Sequence, residues 1–261
     1  MVSLATMGGL LYSPALLAAR TYCMFIGYPR SGHSLIGAIL DAHPRAIIAH
    51  EADALSQLEK VEGRNDLYRL LADNASEYAR GGREWNGYSY VVVGQSQGHY
   101  GSLPWNRPIV VGDKKGGGST RRLRDNPELL DRLRAIVGAD IRLVHVVRHP
   151  LDNIATMFKS SRRTLQQTID FYFSLCETNA ILDANHRVFD IHHEDFCAAP
   201  ERRLSELCAF LGLPVRRSYL SAAASIVNAP HESRHSIDFE GYVPQIKSRA
   251  ARYDFLRGYS F

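Results

Sequence analysis

The sequence predicts an α/β fold: a P-loop-like, three-layer domain with a central parallel sheet flanked by helices. Three observations lead there. Short apolar runs rich in β-branched residues recur along the chain, stretches with helical spacing alternate with them, and a glycine-bearing loop joins the first run to its helix. The candidate strands are Tyr22 to Ile26, Ser89 to Val93, Ile109 to Gly112, Ile141 to Val147 and Val188 to Ile191.

The helices follow from spacing and end signals. After the first strand, Leu35, Ala38, Ile39 and Ala42 fall at i, i+3, i+4 and i+7, so Ser34 to Ala42 reads as a helix stopped near His43-Pro44. Asn126-Pro127-Glu128 reads as cap, first helical position and first-turn acid of a helix carrying Leu129, Leu130, Leu133, Ile136 and Val137. Arg148 ends the fourth run, Pro150 suits a helix start, and Ile154, Met157 and Phe158 mark that helix's buried face. Pro200-Glu201 opens a helix with Leu204, Leu207, Cys208 and Leu211 on one face, closed by Gly212 and Pro214.

The 261 residues are 45% hydrophobic and 22% charged, the composition of a folded globular chain. No repeat or linker divides it, so residues 21–261 are expected to form one domain behind an N-terminal extension, residues 1–20. That extension is uncharged through residue 19, lacks a basic n-region and is interrupted by Pro14, which favours a packed or frayed segment over a targeting or spanning one. Lysine and arginine total 31 against 27 acids, a net +4 with no long run of like charge. This suits a small anionic ligand and makes no case for nucleic acid, and no membrane partner is expected. Four cysteines without C-x-x-C pairing fit a reduced, cytoplasmic setting.

The chemistry concentrates at Gly27-Tyr28-Pro29-Arg30-Ser31-Gly32-His33-Ser34, between the first strand and its helix. A strand, a tight glycine turn and a helix start gather backbone N–H groups around one point, which favours an anion. Ser31, Gly32, His33 and Ser34 would supply those donors, and Arg30 adds a fork for two oxygens of a tetrahedral anion. A plain strand-to-helix turn is the competing reading. The loop nearly spells G-x-x-x-x-G-K-[ST], but His33 stands where a nucleotide-hydrolysing enzyme or kinase needs lysine.

Pro29-Arg30-Ser31-Gly32-His33-Ser34-Leu35, followed by Leu40-Asp41-Ala42-His43-Pro44, resembles the 5′-phosphosulfate loop of sulfotransferases that use 3′-phosphoadenylyl sulfate (PAPS). The Arg-Ser-Gly variant with LDAHP is similar to the tyrosylprotein sulfotransferases and their bacterial relatives; His33 departs from the small hydroxyl residue usual there. The resemblance implies a second anion site for the donor's 3′-phosphate. Arg148 with Thr156 eight positions on reproduces the family's arginine-to-serine spacing, with Arg162 and Arg163 as further candidates. It also implies 3′,5′-adenosine bisphosphate (PAP) as product, no metal, and a small-molecule or peptide acceptor with a hydroxyl or amine. Similar E-D-[LF] and F-L-G-L-P segments occur here as Glu194-Asp195-Phe196 and Phe210-Leu211-Gly212-Leu213-Pro214, read as architecture.

Sulfuryl transfer needs a base for the acceptor's proton and positive charge for the transferring group. By resemblance, Glu51, twenty-one residues after Arg30, is the base, with His50 the alternative; capping of the stretch around Ala54, Leu55 and Leu58 is the structural reading of the pair. By the same resemblance Lys114, in Gly112-Asp113-Lys114-Lys115, stabilises the sulfate. The glycines Gly116, Gly117 and Gly118 permit either a close backbone approach to a ligand or a mobile loop. Trp85, Tyr88, Tyr90, Tyr100 and Trp105 suit the wall of a small organic acceptor site or ordinary packing.

Two other classes remain in view: a P-loop nucleotide-binding protein or kinase, and a zinc metallopeptidase using His231-Glu232-Ser233-Arg234-His235, which matches H-E-x-x-H. The flanks of that segment lack helical periodicity. A similar S-R-H occurs late in PAPS-using relatives, which makes Arg234, Lys247 and Arg249 candidates for a cover over the donor.

Overall fold

A computed structural model describes residues 15–95 and 107–261 of the chain. Tyr100 and Trp105 lie outside the described residues, as does most of the N-terminal extension.

Five strands form one parallel sheet in the order β2-β5-β1-β6-β7: β1 (Thr21–Gly27), β2 (Ala46–His50), β5 (Val110–Lys114), β6 (Asp140–Val147) and β7 (Val188–His192). In β1 the side chains alternate between faces. Tyr22, Met24 and Ile26 pack in one apolar cluster with Leu67, Tyr68 and Leu71 of α3 (Arg64–Arg80) and Leu130, Leu133 and Val137 of α5 (Leu129–Val137). Cys23 and Phe25 pack in another with Ile36, Ile39 and Leu40 of α1 (His33–Asp41) and Leu204, Leu207 and Leu211 of α9 (Pro200–Leu211). Helices thus cover both faces, which is why the strands read as continuous apolar runs. Among the described residues no helix is long and apolar enough to cross a membrane.

Two expected elements differ. Ser89 to Val93 is not a sheet strand; β3 (Glu84–Trp85) and β4 (Tyr88–Ser89) make a separate antiparallel hairpin. The fifth place in the sheet belongs to β2, Ala46-Ile47-Ile48-Ala49-His50, a buried run too short to announce itself beside the helix stop at Pro44. The Asn126-Pro127-Glu128 segment is a turn, with Asn126 Oδ1 accepting from Glu128 N at 3.2 Å, and the helix begins at Leu129. Pro200 and Gly212 do open and close α9, Gly212 in the left-handed region at φ 76.

The LDAHP segment ties the layers together. Asp41 accepts from Ile48 N (3.0 Å) and from the buried Arg83 guanidinium (2.5 Å), and His43 Nε2 donates to the Pro214 carbonyl (2.8 Å). Two sequence segments 171 residues apart thereby meet as architecture.

Candidate active site

All the segments of interest leave the sheet at its carboxyl edge, the usual place for a ligand crevice in an open α/β sheet. The loop after β1 turns through Arg30 at φ 70 and Gly32 at φ 102 before α1 starts at His33. Its interior is held by His33. The imidazole folds beneath the loop, Nε2 donating to the Ile26 carbonyl (3.0 Å) and Nδ1 standing 3.0 Å from Ser31 Oγ, which itself donates to the Tyr28 carbonyl (3.1 Å). Burial pushes the His33 pKa down to about 4, so the ring stays neutral. The residue in the lysine position is therefore a strut of the loop.

His33 also explains the glycine run. A Cβ on Gly116, which sits at φ 56, would lie 2.6 Å from the His33 ring, and one on Gly117 would lie 2.5 Å from Pro29 Cδ. Gly116 caps α4 (Gly117–Asp125), so the run is a close-packed helix start: it is no mobile loop, and the close approach it makes is to the loop's own His33 and Pro29. Gly116→Ala is expected to destabilise by about 1–3 kcal/mol through the clash and the left-handed backbone, read as a lowered melting temperature. An unchanged melting temperature would contradict this packing.

Positive charge arrives from β5. Lys114, 1% exposed, donates to Ser34 Oγ (3.2 Å) and to Glu51 Oε1 (2.6 Å), while Lys115 Nζ stands 2.9 Å from Glu51 Oε2. β2 and β5 are paired with His50 opposite Lys114, which brings Glu51 and the two lysines to the same edge. Burial works to raise the Glu51 pKa, but the lysines outweigh it and hold the carboxylate below its ordinary value. Burial lowers the Lys114 pKa against the pull of Glu51.

His50 has a different environment. Its ring stacks on Tyr78 (3.8 Å between centroids) and meets Trp85 edge-on (4.7 Å). Burial first, then Lys114, push its pKa to about 3. Trp85 also lies under Lys114 Nζ at 5.7 Å, and the Asn86 amide orientation that satisfies its neighbours has its oxygen accepting from Trp85 Nε1 (2.8 Å) and Arg30 Nη1 (3.0 Å). The β3–β4 hairpin thus places an aromatic wall beside Glu51 and Arg30. Asp53, rather than His50 or Glu51, is the N-cap of the short helix α2 (Ala54–Gln57).

A second cluster lies at the end of β6. Arg148, 7% exposed, donates through Nη1 to the Arg30 carbonyl (3.2 Å) and through Nη2 to the His231 carbonyl. Its Nη1 stands 3.5 Å from Thr156 Oγ1 on α6 (Pro150–Lys159), and its Nε is buried without a partner. Burial lowers the Arg148 pKa from its ordinary value. Ser233 Oγ lies 3.0 Å from Thr156 Oγ1 and 3.5 Å from Arg148 Nη2, so the S-R-H triplet reaches this corner through its serine, which was not among the residues singled out from it. Arg148 and Thr156, eight apart in sequence, therefore share one spot, next to the loop through Arg30. Glu194 braces this corner, accepting from His149 N (2.9 Å) and from Tyr259 Oη (2.8 Å).

The remaining candidates are placed elsewhere or otherwise engaged. Arg234 pairs with Asp152 (2.7 Å) beside Arg148, whereas Arg249 pairs with Asp170 (2.6 Å) and covers the Phe173 ring (4.3 Å). Arg163 covers the Phe171 ring at 4.4 Å. Among the described residues, Lys247 and Arg162 make no ion pair or ring contact. The H-E-x-x-H segment is not helical: Ser233–Ser236 forms a 3-10 turn, His235 pairs with Glu232 (3.0 Å), and His231 Nδ1 lies 3.1 Å from Ser233 Oγ. Among the described residues no group of three or more His, Cys, Asp or Glu is arranged to hold a metal. That removes the ligand set of the metallopeptidase reading.

The profile described as "Sulfotransferase family" matches residues 24–217. The chain belongs to the sulfotransferase family. Comparison with curated proteins gives no match. Among solved structures, the fold is similar to sulfotransferase STF1 from Mycobacterium tuberculosis, at 14% identity and TM-score 0.51 over 94% of this chain and 81% of that one. It is likewise similar to sulfotransferase STF9 from Mycobacterium avium, at 10% identity and TM-score 0.50 over 92% of this chain and 79% of that one. These likenesses establish the P-loop-like sulfotransferase fold, and the family match makes the chain an enzyme of the sulfotransferase class.

Proposed function

We propose that this sulfotransferase uses PAPS as donor and transfers its sulfuryl group to a hydroxyl or amine of a small-molecule or peptide acceptor. The observation that carries the reading is the pairing of two cationic corners at one sheet edge. Lys114, Ser34 and Glu51 meet beside the glycine loop, and Arg148 and Thr156 meet at the next strand end, joined to the loop through the Arg30 carbonyl. Two such corners suit a ligand with two separated phosphate groups.

The residues divide the work as follows. The N–H groups of Ser31 to Ser34 and the Arg30 guanidinium hold the 5′-phosphosulfate. Arg148 and Thr156 hold the 3′-phosphate, the guanidinium exchanging its backbone carbonyl partners for phosphate oxygens, and the Ser233 hydroxyl joins them. The donor supplies the activated sulfuryl group; Lys114 neutralises charge on that group, and no metal is required of the set. Glu51 is the base. Its carboxylate is partly exposed and held ionised, whereas His50 Nε2 is buried without a partner in a stack that makes the ring a poor proton acceptor. The acceptor lies along Trp85 and Tyr88, both exposed. The Arg-Ser-Gly loop with LDAHP supports placement in the tyrosylprotein-type and bacterial branch.

Calorimetry with PAP set beside ATP tests the donor. PAP is expected to bind at least ten-fold more tightly; ATP binding as tightly as PAP would sink the PAPS assignment and return the nucleotide-binding reading.

A further inference from the structure

We infer that α4 is a bracket fixing the donor loop and the Glu51 turn relative to each other, with Arg122 a positioning residue for Glu51 and Thr120 its counterpart for the loop. The inference rests on Glu51 being the base.

The turn that carries Glu51 is strained. Both Glu51 and Asp53 sit in the left-handed region, at φ 59 each, although neither is glycine. Such conformations persist only where the surroundings over-determine them, and they gather at functional sites. Three anchors impose it here. Glu51 N donates to the Lys114 carbonyl (3.1 Å), Ala54 N donates to Asp113 Oδ2 (2.8 Å), and Arg122 grips Asp53 with a fork, Nε at 2.6 Å from Oδ1 and Nη2 at 2.5 Å from Oδ2. All three come from one stretch of chain, Asp113 to Arg122.

The same stretch grips the donor loop. Thr120 Oγ1 accepts from Gly27 N (2.8 Å), the last residue of β1, and donates to Asn179 Oδ1 (2.9 Å) on α7 (Leu165–Asn185). Gly116 and Gly117 bring the start of α4 against His33 and Pro29 with no space for a Cβ. Thr120 and Arg122 are two residues apart, so they leave the helix in different directions, one toward the loop and one toward the base turn. A rigid helix that touches both halves sets the spacing between sulfate and base, and in-line transfer is sensitive to errors of about an ångström.

The exposure of the fork argues for alignment over stability. The Arg122 and Asp53 side chains are 35% and 20% exposed, and ion pairs that wet contribute little to folding. Removing the fork should leave the fold intact while releasing the turn.

The test uses full-length protein and three variants: Arg122→Gln, Arg122→Lys and Thr120→Val. In Arg122→Gln, amide hydrogen exchange across residues 51–54 is expected to quicken at least ten-fold, with PAP affinity within two-fold of the parent. PAP release from PAPS, with water or 2-naphthol as acceptor, should fall at least ten-fold in kcat at unchanged KM for PAPS, and Arg122→Lys should recover part of it. Thr120→Val should do the reverse, weakening PAP at least ten-fold without quickening exchange at 51–54. The bracket is overturned if Arg122→Gln leaves exchange at 51–54 unchanged, or if both variants weaken PAP equally. The donor assignment fails separately, when the parent protein does not bind PAP; the exchange measurement still judges the bracket in that case.

Discussion

Arg148→Ala is expected to weaken PAP binding about a hundred-fold and to abolish the preference for PAP over adenosine 5′-monophosphate. The magnitude follows from losing charge-assisted hydrogen bonds to one phosphate, about 1.5–3 kcal/mol. The selectivity is the sharper part. Arg148 stands with Thr156 and Ser233 at the β6 corner, where the proposed reading puts the 3′-phosphate, so its loss should fall chiefly on a ligand carrying one. Adenosine 5′-monophosphate would bind parent and variant alike. Because Arg148 also bridges the Arg30 and His231 carbonyls, the melting temperature must be followed, and Arg148→Lys, which keeps the charge but not the fork, serves as the milder variant. Equal weakening of both ligands would show that Arg148 supports the fold and does not read the 3′-phosphate.

The sequence carried the parts of this site whose logic is local. The loop after Tyr22 to Ile26, the helix from Leu35 onward, and the Arg148 to Thr156 spacing depend on residues close in the chain, and the structure brings them together at one edge. β2 escaped because Ala46 to His50 is a five-residue run buried on both faces, which periodicity cannot tell from a loop next to a helix stop. Ser89 to Val93 misled for the opposite reason: its β-branched, aromatic composition suits a strand, yet the hairpin lies outside the sheet and Val93 is 75% exposed. Thr120 and Arg122 were invisible because their partners are 93 and 69 residues away, and the S-R-H triplet drew attention to Arg234 while its Ser233 meets Thr156 across 77 residues. His33 was legible as a departure from a pattern, but only the fold shows that its nitrogen serves the Ile26 carbonyl seven residues back.

Glu51→Gln is expected to lower kcat by about 10²- to 10⁴-fold, the usual worth of a positioned base, with PAP affinity retained. The pH dependence supplies the sign. Opposed by burial, the two lysines still hold the Glu51 carboxyl below the ordinary value of 4.5, so in the free enzyme the base is ionised at neutrality and loses its charge only as pH falls through that lowered value. The acid limb of kcat/KM, which reports the free enzyme, should therefore lie below 4.5 and vanish in Glu51→Gln. The same depressed pKa contributes stability that is present above the unfolded carboxyl value and is lost on acidification. An anionic sulfate at Lys114 competes for the ammonium that Glu51 now holds at 2.6 Å. Donor binding should then raise the carboxyl pKa, so the limb in kcat should sit at higher pH than the limb in kcat/KM. A glutamine variant with full turnover would transfer the role to His50, and then His50→Ala, which leaves the Glu51 carboxylate in place, should remove it.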